Sequence, residues 1–276
     1  MQPVVPATRP TSTYHRLVRR GLLVAVAGAA ATMLSACGGG DDCYSCGGGG
    51  GGQGGPAAAA GYYDGSTSSG RHLQWIVLET GRYYGLYGPL NAPSSTVIEG
   101  LMIGDGVATG TNFDSNTLND LNFTSQTGSL GTIAGTFRFR NYFDANVAYV
   151  GGATGSFSTD YSLRYEDTPS LTTIAGNYSG QLASVAAVTA TNFNVSSSGA
   201  LQAAVAGTCN IAGQLGVHLA GGNVYDVSLT YDSGCGGVAG TTVLGNAKYD
   251  GATGSLYIIT STSTFGSVSL LLGTKT

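Results

Sequence analysis

From residue 61 onwards the chain repeatedly alternates apolar and polar side chains with a period of two. Neighbouring side chains of an extended strand point to opposite faces, so this spacing indicates strands with one buried and one solvated face. The clearest examples are 72–79, 136–140, 214–219 and 223–231. No segment after residue 60 keeps the spacing of an amphipathic helix. We therefore expect an all-β fold.

The alternation also predicts which side chains face the interior. The expected inward-facing residues are Leu73, Trp75, Val77, Phe137, Phe139, Leu215, Val217, Leu219, Tyr225, Val227, Leu229 and Tyr231. His218 lies opposite the leucines of its segment and is expected to be a solvent-side strand residue.

Short motifs recur in the same order along the chain. The matching segments are 60–65 (AGYYDG) with 175–180 (AGNYSG), 152–156 with 251–255 (both GATGS), and 122–136 with 192–208. Ordered recurrence favours two related units, which we place at 61–174 and 175–276. Chance matches in a chain rich in Gly, Ala, Ser and Thr are the alternative.

A sheet of many short antiparallel strands must hide its edges, and closure into a barrel does so. We predict two small antiparallel β-barrels or sandwiches in tandem. The other candidate is a parallel β-solenoid, which the same composition favours. A solenoid would repeat about every 20–30 residues, whereas the spacing here is near one hundred.

The first 36 residues have the organisation of a secretory signal. Arg16, Arg19 and Arg20 precede an apolar stretch at 21–36 that has no charge. Those sixteen residues are fewer than the roughly 20 that a membrane-spanning helix needs. We expect residues 1–36 to be a cleaved signal peptide.

Residues 34–37 (LSAC) resemble the lipobox of bacterial lipoproteins. The resemblance implies a diacylglycerol on the Cys37 thiol, cleavage before Cys37, and acylation of the new amino terminus, for example with palmitate. Several acyl chains hold a protein to a membrane more firmly than one. In such lipoproteins an Asp after the cysteine favours inner-membrane retention, so Gly38 implies the outer membrane, with the leaflet left open. The alternative is an ordinary secretory signal with a chance cysteine.

Residues 37–60 are expected to form a disordered, Gly-rich tether. Eleven of the 23 residues from 38 to 60 are Gly, and no apolar period is present. Cys43 and Cys46 form a CxxC inside it. No helix start follows to activate a thiol, and no second ligand pair is present for zinc. A local disulfide or an incidental pair is therefore expected.

The charge balance argues against nucleic acid as a partner. Four of the 11 Lys and Arg lie in the signal segment, leaving seven against 15 Asp and Glu, a net charge of about −8 for residues 37–276. Binding to phosphate backbones needs clustered Lys and Arg.

No motif predicts catalysis, a metal or a cofactor. His72 and His218, the histidines after the signal, cannot form an HExxH or three-histidine zinc site, and no GxSxG motif occurs. Residues 114–120 (DSNTLND) begin like an EF-hand loop but lack its Gly and closing Glu.

Two further features carry predictions. Cys209 and Cys235 flank two alternating segments that should form a hairpin, so a disulfide between them is expected in an exported protein. An aromatic cluster is the candidate binding surface, because Tyr, Trp and Arg dominate interfaces, although its rings could instead pack a barrel. Its residues are Trp75, Arg82, Tyr83, Tyr84 and Tyr87.

The lipobox, the Gly-rich tether and two β units together resemble two-barrel surface lipoproteins such as factor H-binding protein and transferrin-binding protein B. The resemblance covers the whole chain in outline and carries over no binding residue. It implies a lipid-anchored, non-catalytic binding module of the bacterial envelope, with a protein or glycan ligand. A structural or assembly role in the outer membrane is the alternative, and an unrecognised enzyme a third.

Overall fold

The computed structural model describes residues 56–90, 97–205 and 207–276, which belong to one compact unit, residues 50–276. Within these ranges the chain forms seventeen strands, three short 3-10 helices and one four-residue α-helix. None of the helices in the described ranges has the length and apolarity needed to cross a bilayer. The predicted signal peptide and lipobox, with Cys37, Cys43 and Cys46, lie outside the described residues.

The strands fall into two sheets. Those of the first are β1 (Gly61–Thr67), β2 (Arg71–Val77), β3 (Arg82–Pro89), β4 (Gly100–Asp105), β5 (Val107–Thr109), β6 (Asn112–Asn122), β7 (Thr127–Arg138), β8 (Tyr142–Tyr149) and β9 (Thr154–Tyr161). Those of the second are β10 (Gly176–Ala183), β11 (Val188–Val195), β12 (Ala200–Val205), β13 (Cys209–Val217), β14 (Val224–Tyr231), β15 (Thr242–Asp250), β16 (Ser255–Ser261) and β17 (Val268–Lys275). The helices are 3-10 helices at Pro56–Ala59, Leu163–Glu166 and Gly236–Val238, and α1 at Leu171–Ile174.

Both sheets close into antiparallel barrels, which confirms the predicted fold class. In the first barrel β1 pairs with β9, and β4 pairs with β6, so that β5 is a short addition beside β6. The second barrel is a continuous meander from β10 to β17, closed by pairing of β10 with β17. Every strand pair in the described residues is antiparallel, so the solenoid alternative is wrong.

The first recurring motif occupies the same place in both barrels. It opens β1 in one and β10 in the other, each time after a short helix. The hydroxyl of Tyr63 donates to the carbonyl oxygen of Ala59 at 2.9 Å, and that of Tyr178 donates to Ile174 at 2.6 Å. Each tyrosine therefore ties the first strand of its barrel to the helix that precedes it.

The other two motif pairs do not occupy equivalent places. The segment at 152–156 leads into β9, the last strand of the first barrel, whereas 251–255 leads into β16, the last but one of the second. The third pair matches β6 and β7 to β11 and the turn after β12. Small residues recur at 152–156 and 251–255 because turn chemistry selects them. The structure gives neither of these two motif pairs a common position.

The predicted inward faces are mostly correct. Among those residues, Leu73, Trp75, Val77, Phe137, Leu215, Tyr225, Val227, Leu229 and Tyr231 are buried. Phe139, Val217 and Leu219 are instead 56%, 38% and 96% exposed. Phe139 and Leu219 follow the ends of β7 and β13, where the alternation no longer describes the backbone, and Val217 is the last residue of β13.

A third apolar cluster joins the two barrels. The outer faces of β2 and β3 contribute Ile76, Tyr84 and Leu86, which pack with Leu270 and Leu272 on β17. The opposite faces of these strands fill the barrel interiors, as Trp75 and Leu271 show. Strands at the contact are therefore buried on both sides, and the barrels share a core.

Candidate functional site

The aromatic cluster predicted as a binding surface is buried. Trp75, Tyr83 and Tyr87 belong to the interior of the first barrel, and Trp75 stacks on Tyr83 with ring centroids 4.8 Å apart. Tyr84 lies on the outer face of β3 but is covered by the second barrel. The prediction of an exposed surface is wrong, because the rings pack both faces of β2 and β3.

Arg82, the fifth member, is half-buried between the barrels. Its guanidinium pairs with Asp105 at 2.5 Å and lies over the Phe265 ring, 4.8 Å from the centroid. The arginine is thus committed to contacts within the chain and is not free for a ligand.

His218 also lies between the barrels and not on a free solvent face. Its Nδ1 contacts a carboxylate oxygen of Asp226 at 2.7 Å, and its Nε2 contacts Glu79 at 3.0 Å. Glu79 belongs to the first barrel, so the imidazole bridges the two barrels. A cleft of about 830 Å³ opens beside it, with Arg82 and Asp105 also in its wall.

The electrostatics of His218 fit a structural ion pair better than catalysis. Burial lowers the pKa of His218, but the hydrogen bonds to Glu79 and Asp226 outweigh it, so the pKa is raised. Two carboxylates can accept from both ring nitrogens only when the imidazole is protonated. Neither nitrogen is then available to take a proton from a nucleophile, which a general base must do.

Lys248 is a second cation at the contact between the barrels. Its Nζ donates to Oε1 of Gln74 at 3.0 Å and lies 4.7 Å from the centroid of the Tyr62 ring. Burial lowers the pKa of Lys248, because the ammonium loses its hydration. The residue is enclosed by both barrels and offers nothing to an external ligand.

The outer surface of the second barrel carries an open groove of about 900 Å³. Strands β10 to β14 form its floor, and their outward side chains are almost all amides, hydroxyls or alanines. They point outward because the alternate residues, such as Tyr178, Phe193 and Ile211, fill the barrel interior. Asp232 is the single acidic or basic side chain among the described residues that line this groove. We call this feature the amide groove.

Strand register arranges the amides in rows. Asn177, Asn194 and Gln202 are direct neighbours across β10, β11 and β12. Neighbouring strands lie about 4.8 Å apart, so these amides are spaced by about that distance. The side chain of Asn194 donates to that of Asn177 at 2.8 Å, which orients both. A second row contains Asn192, opposite Ser179.

One end of the groove carries its charge. The side-chain nitrogen of Asn210 donates to Asp232 at 2.6 Å. Hydrogen bonds from Asn210 lower the pKa of Asp232, so this carboxylate is ionised at neutral pH. The remainder of the lining offers paired donors and acceptors without charge, a chemistry that suits neutral polar ligands.

The structure has a disulfide between Cys209 and Cys235, at the start of β13 and in the loop after β14. Asp232 lies beside the two sulfur atoms, but bonded cysteines do not ligate metals. Residues 114–120 lie within β6 rather than in a loop, and Asp120 accepts hydrogen bonds from the hydroxyls of Tyr87 and Tyr149. An EF-hand geometry is therefore excluded there.

The amide groove has a signal in the sequence. The strands of the second barrel place Asn, Gln, Ser or Ala at alternate positions where solvated strands commonly carry Lys, Glu or Arg. Which strands lie side by side, and so which amides form a row, depends on the register, which local patterns do not give.

The fold and groove define an all-β protein of two tandem closed barrels, with the open amide groove on the second. No protein-family model matches the chain, and no curated protein matches it. Among solved structures it is similar to transferrin-binding protein B, the protein that the tandem organisation of the sequence resembles.

Two structures are mutants of the vaccine antigen transferrin-binding protein B from Haemophilus parasuis Hp5. The single mutant has 8% identity and a TM-score of 0.26, over 75% of this chain and 66% of the other. The double mutant has 8% identity and a TM-score of 0.25, over 74% and 60%. The intact Ap-TbpB, with N and C lobes, has 9% identity and a TM-score of 0.24, over 75% and 67%. This chain thus spans just under two thirds of the first structure.

Proposed function

We propose that the chain is a lipid-anchored, non-catalytic binding module of the bacterial outer membrane, and that the amide groove is its ligand-binding surface. The amide groove is the observation that carries the proposal. It is a concave, exposed surface of ordered polar side chains, and the aromatic cluster that could have competed with it is buried. The anchor rests on the lipobox at 34–37.

The chemistry of the groove favours an uncharged, hydroxyl-rich ligand, such as a glycan chain. Amides both donate and accept, and so do hydroxyl groups, so each sugar can pair with neighbouring amides in a row. A strongly charged ligand would find no opposite charge in the groove apart from Asp232. The lining residues come from five neighbouring strands, β10 to β14, which suits an extended ligand.

Two other binding modes fit less well. An extended peptide cannot add a strand to the second barrel, because pairing of β10 with β17 leaves that barrel without an edge. A hydrolytic role for His218 is opposed by the two carboxylates that occupy its ring nitrogens.

The ligand is tested by screening neutral and acidic glycans with the chain carrying Cys37→Ser, which removes the lipid site. Asn192→Ala should weaken binding about threefold to tenfold, since one net hydrogen bond is worth about 0.5–1.5 kcal/mol. Asn146→Ala is the matched control, an exposed amide on β8 of the first barrel. An equal loss of binding in both variants would contradict the assignment of the ligand to the amide groove. A chain that binds no glycan and no envelope protein would favour the structural or assembly role.

The anchor is tested separately by fractionating cells that produce the wild type or Cys37→Ala. The variant should leave the membrane fraction, because it lacks the acylated thiol. Protease added to intact cells then assigns the leaflet: digestion places the barrels outside, and protection until the outer membrane is permeabilised places them in the periplasm. A Cys37→Ala chain that still fractionates with membranes would refute lipid anchoring.

A further inference from the structure

A cavity of about 560 Å³ lies where the mouth of the second barrel meets the first barrel. Leu121 and Leu130, on β6 and β7, form its first-barrel wall. Leu182, at the end of β10, and Phe265, in the loop between β16 and β17, face it from the second barrel. The disulfide between Cys209 and Cys235 completes the lining on that side. Its size lies within the range of about 300–1,000 Å³ that is typical of small-molecule sites.

The lining of this cavity is mostly apolar, and its polar side chains are uncharged. Among the described residues that line it, none is acidic or basic. A ligand with a formal charge at the bottom of the cavity would lose its hydration without a partner, at a large cost in free energy. Because the lining carries no charge, the cavity favours an uncharged, apolar molecule.

The opening is not sealed by the chain itself. Leu130 is 61% exposed and Val185 is 37% exposed, so apolar side chains at the rim face water. Covering such surface is favourable by about 25 cal/mol per Å². An apolar ligand that enters between the barrels would cover the rim as well as the interior.

The wall also offers hydroxyl groups to a neutral polar group of the ligand. The hydroxyls of Tyr231 and Ser269 are 2.8 Å apart, and those of Ser269 and Thr260 are 2.9 Å apart. Hydroxyl oxygens keep further acceptor capacity, and their protons can be redirected to a carbonyl oxygen. An ester or amide carbonyl has the matching chemistry without a charge.

We propose that this cavity binds an uncharged fatty-acyl chain, in ester or amide linkage and not as a free fatty acid. The inference is independent of the amide groove, which lies on the outer face of the barrel. Such chains could come from envelope lipid or from the acyl groups on Cys37. Pro56 follows Cys37 by 19 positions, which can extend to roughly 65 Å, so neither source is out of reach.

The test titrates 1-monopalmitoylglycerol and palmitate against the full chain carrying Cys37→Ser, with native mass spectrometry to count bound molecules. We expect one molecule of the neutral ester, bound at least about tenfold more tightly than the anion. Leu130→Asp should weaken the ester about tenfold, because it places a carboxylate at the opening. Leu244→Asp is the matched control, since Leu244 is 67% exposed and lies outside the cavity lining.

A variant at Leu130 with the opposite charge distinguishes binding in the cavity from general adsorption to the protein surface. Leu130→Lys should raise the affinity for palmitate relative to the ester, because the ammonium can pair with the carboxylate. Both positions are exposed, so the variants should fold as the wild type does, which circular dichroism checks. No saturable binding of the ester, or equal affinities in the variants at Leu130 and at Leu244, would overturn the proposal.

The acylated wild type distinguishes the two sources. Binding of added ester to both the wild type and Cys37→Ser assigns the cavity to a separate envelope lipid. Binding to Cys37→Ser alone shows that the chain's own acyl group fills the cavity. Either result supports the proposal, and binding to neither refutes it. Failure of the glycan screen would leave these outcomes unchanged.

Discussion

His218 stabilises the contact between the barrels only while its imidazole is protonated. In the folded chain its pKa is raised by Glu79 and Asp226, whereas in the unfolded chain it takes the ordinary value. A base whose pKa is raised on folding contributes stability in full below the unfolded pKa. That contribution is lost as the pH rises through the folded pKa.

We predict that His218→Gln lowers the free energy of unfolding more below pH 6 than at pH 9. The stabilisation by the ion pairs is present at the lower pH and already lost at the higher one. Urea titrations of wild type and variant at a series of pH values measure the difference. His72→Gln is the control, because it replaces the other histidine of the described residues. A loss for His218→Gln that is the same at all pH values would contradict a protonated bridge.

At the residue scale, the sequence allowed burial to be predicted but not partners. The burial of Leu73, Trp75 and Val77 follows from the alternation alone, because alternating apolar and polar side chains indicate a strand whose apolar face is buried. The bridge from His218 to Glu79 joins residues 139 positions apart, and no local pattern encodes it. The prediction of an exposed aromatic cluster was wrong for a similar reason. Local sequence does not show that Tyr83 and Tyr87 point into their own barrel, or that the second barrel covers Tyr84.

At the scale of strands, Gly65 and Gly180 are corresponding glycines of the recurring motif. A Cβ at Gly65 would lie 2.0 Å from the carbonyl oxygen of Ser158 on β9. A Cβ at Gly180 would lie 1.9 Å from that of Leu272 on β17. Each glycine therefore allows the first strand of its barrel to approach the last.

We predict that Gly65→Ala and Gly180→Ala each lower the free energy of unfolding by about 1–3 kcal/mol, the usual cost of overpacking. Gly216→Ala is the control, because a Cβ there meets nothing within 4 Å. It should change stability by less than about 1 kcal/mol. Urea unfolding measures all three, and equal effects would show that the close approach does not limit closure.

The disulfide acts at the same scale, because it ties the start of β13 to the loop after β14. We predict that the double variant Cys209→Ala with Cys235→Ala loses about 3–4 kcal/mol, the chain-entropy value for a loop of this length. Thermal unfolding of the variant against the wild type, without reductant, measures the loss. Mass mapping of the wild type without reduction should find these two residues linked. Finding both thiols free would contradict the disulfide and the stabilisation attributed to it.

The sequence predicts strands well where one face is wet, and poorly where both faces are buried. Tyr225 to Tyr231 alternate because the outside of β14 meets solvent. By contrast, β16 is buried along its whole length, and its run of apolar residues has no period. A continuous apolar run of this kind is consistent with a second layer that covers the outer face of the strand.

At the scale of the whole molecule, the shared cluster should make the two barrels unfold together. We predict that Leu270→Ala, on β17 at the contact, costs about 2–4 kcal/mol. The single tryptophan, Trp75, lies inside the first barrel, so its fluorescence reports that barrel alone. In Leu270→Ala, the urea midpoint measured by tryptophan fluorescence should fall by the same amount as the midpoint measured by circular dichroism. An unchanged fluorescence midpoint would show that the barrels unfold separately.

The two barrels in tandem could be predicted, but the strand pairs that close each barrel could not. Recurrence of AGYYDG and AGNYSG correctly marks the first strand of each barrel, because both need the same tyrosine and glycine. Pairing of β1 with β9 and of β10 with β17 connects segments about a hundred residues apart. Such pairing depends on the register of the entire sheet and not on any one strand.

The pairing of β1 with β9 also determines how the molecule would carry mechanical load. The chain enters the first barrel at Gly61 and leaves it at Tyr161, and Tyr63 pairs directly with Tyr161. The hydroxyl of Tyr62 donates to the carbonyl oxygen of Asn223 in the second barrel, while its own carbonyl accepts from the backbone nitrogen of Ser162 at 2.8 Å. Tension between the amino-terminal end and a ligand held by the second barrel would therefore pass from one strand end to its neighbour. Such a pull would load the contact between β1 and β9 at one end of the first barrel and need not pass along the other strands of that barrel.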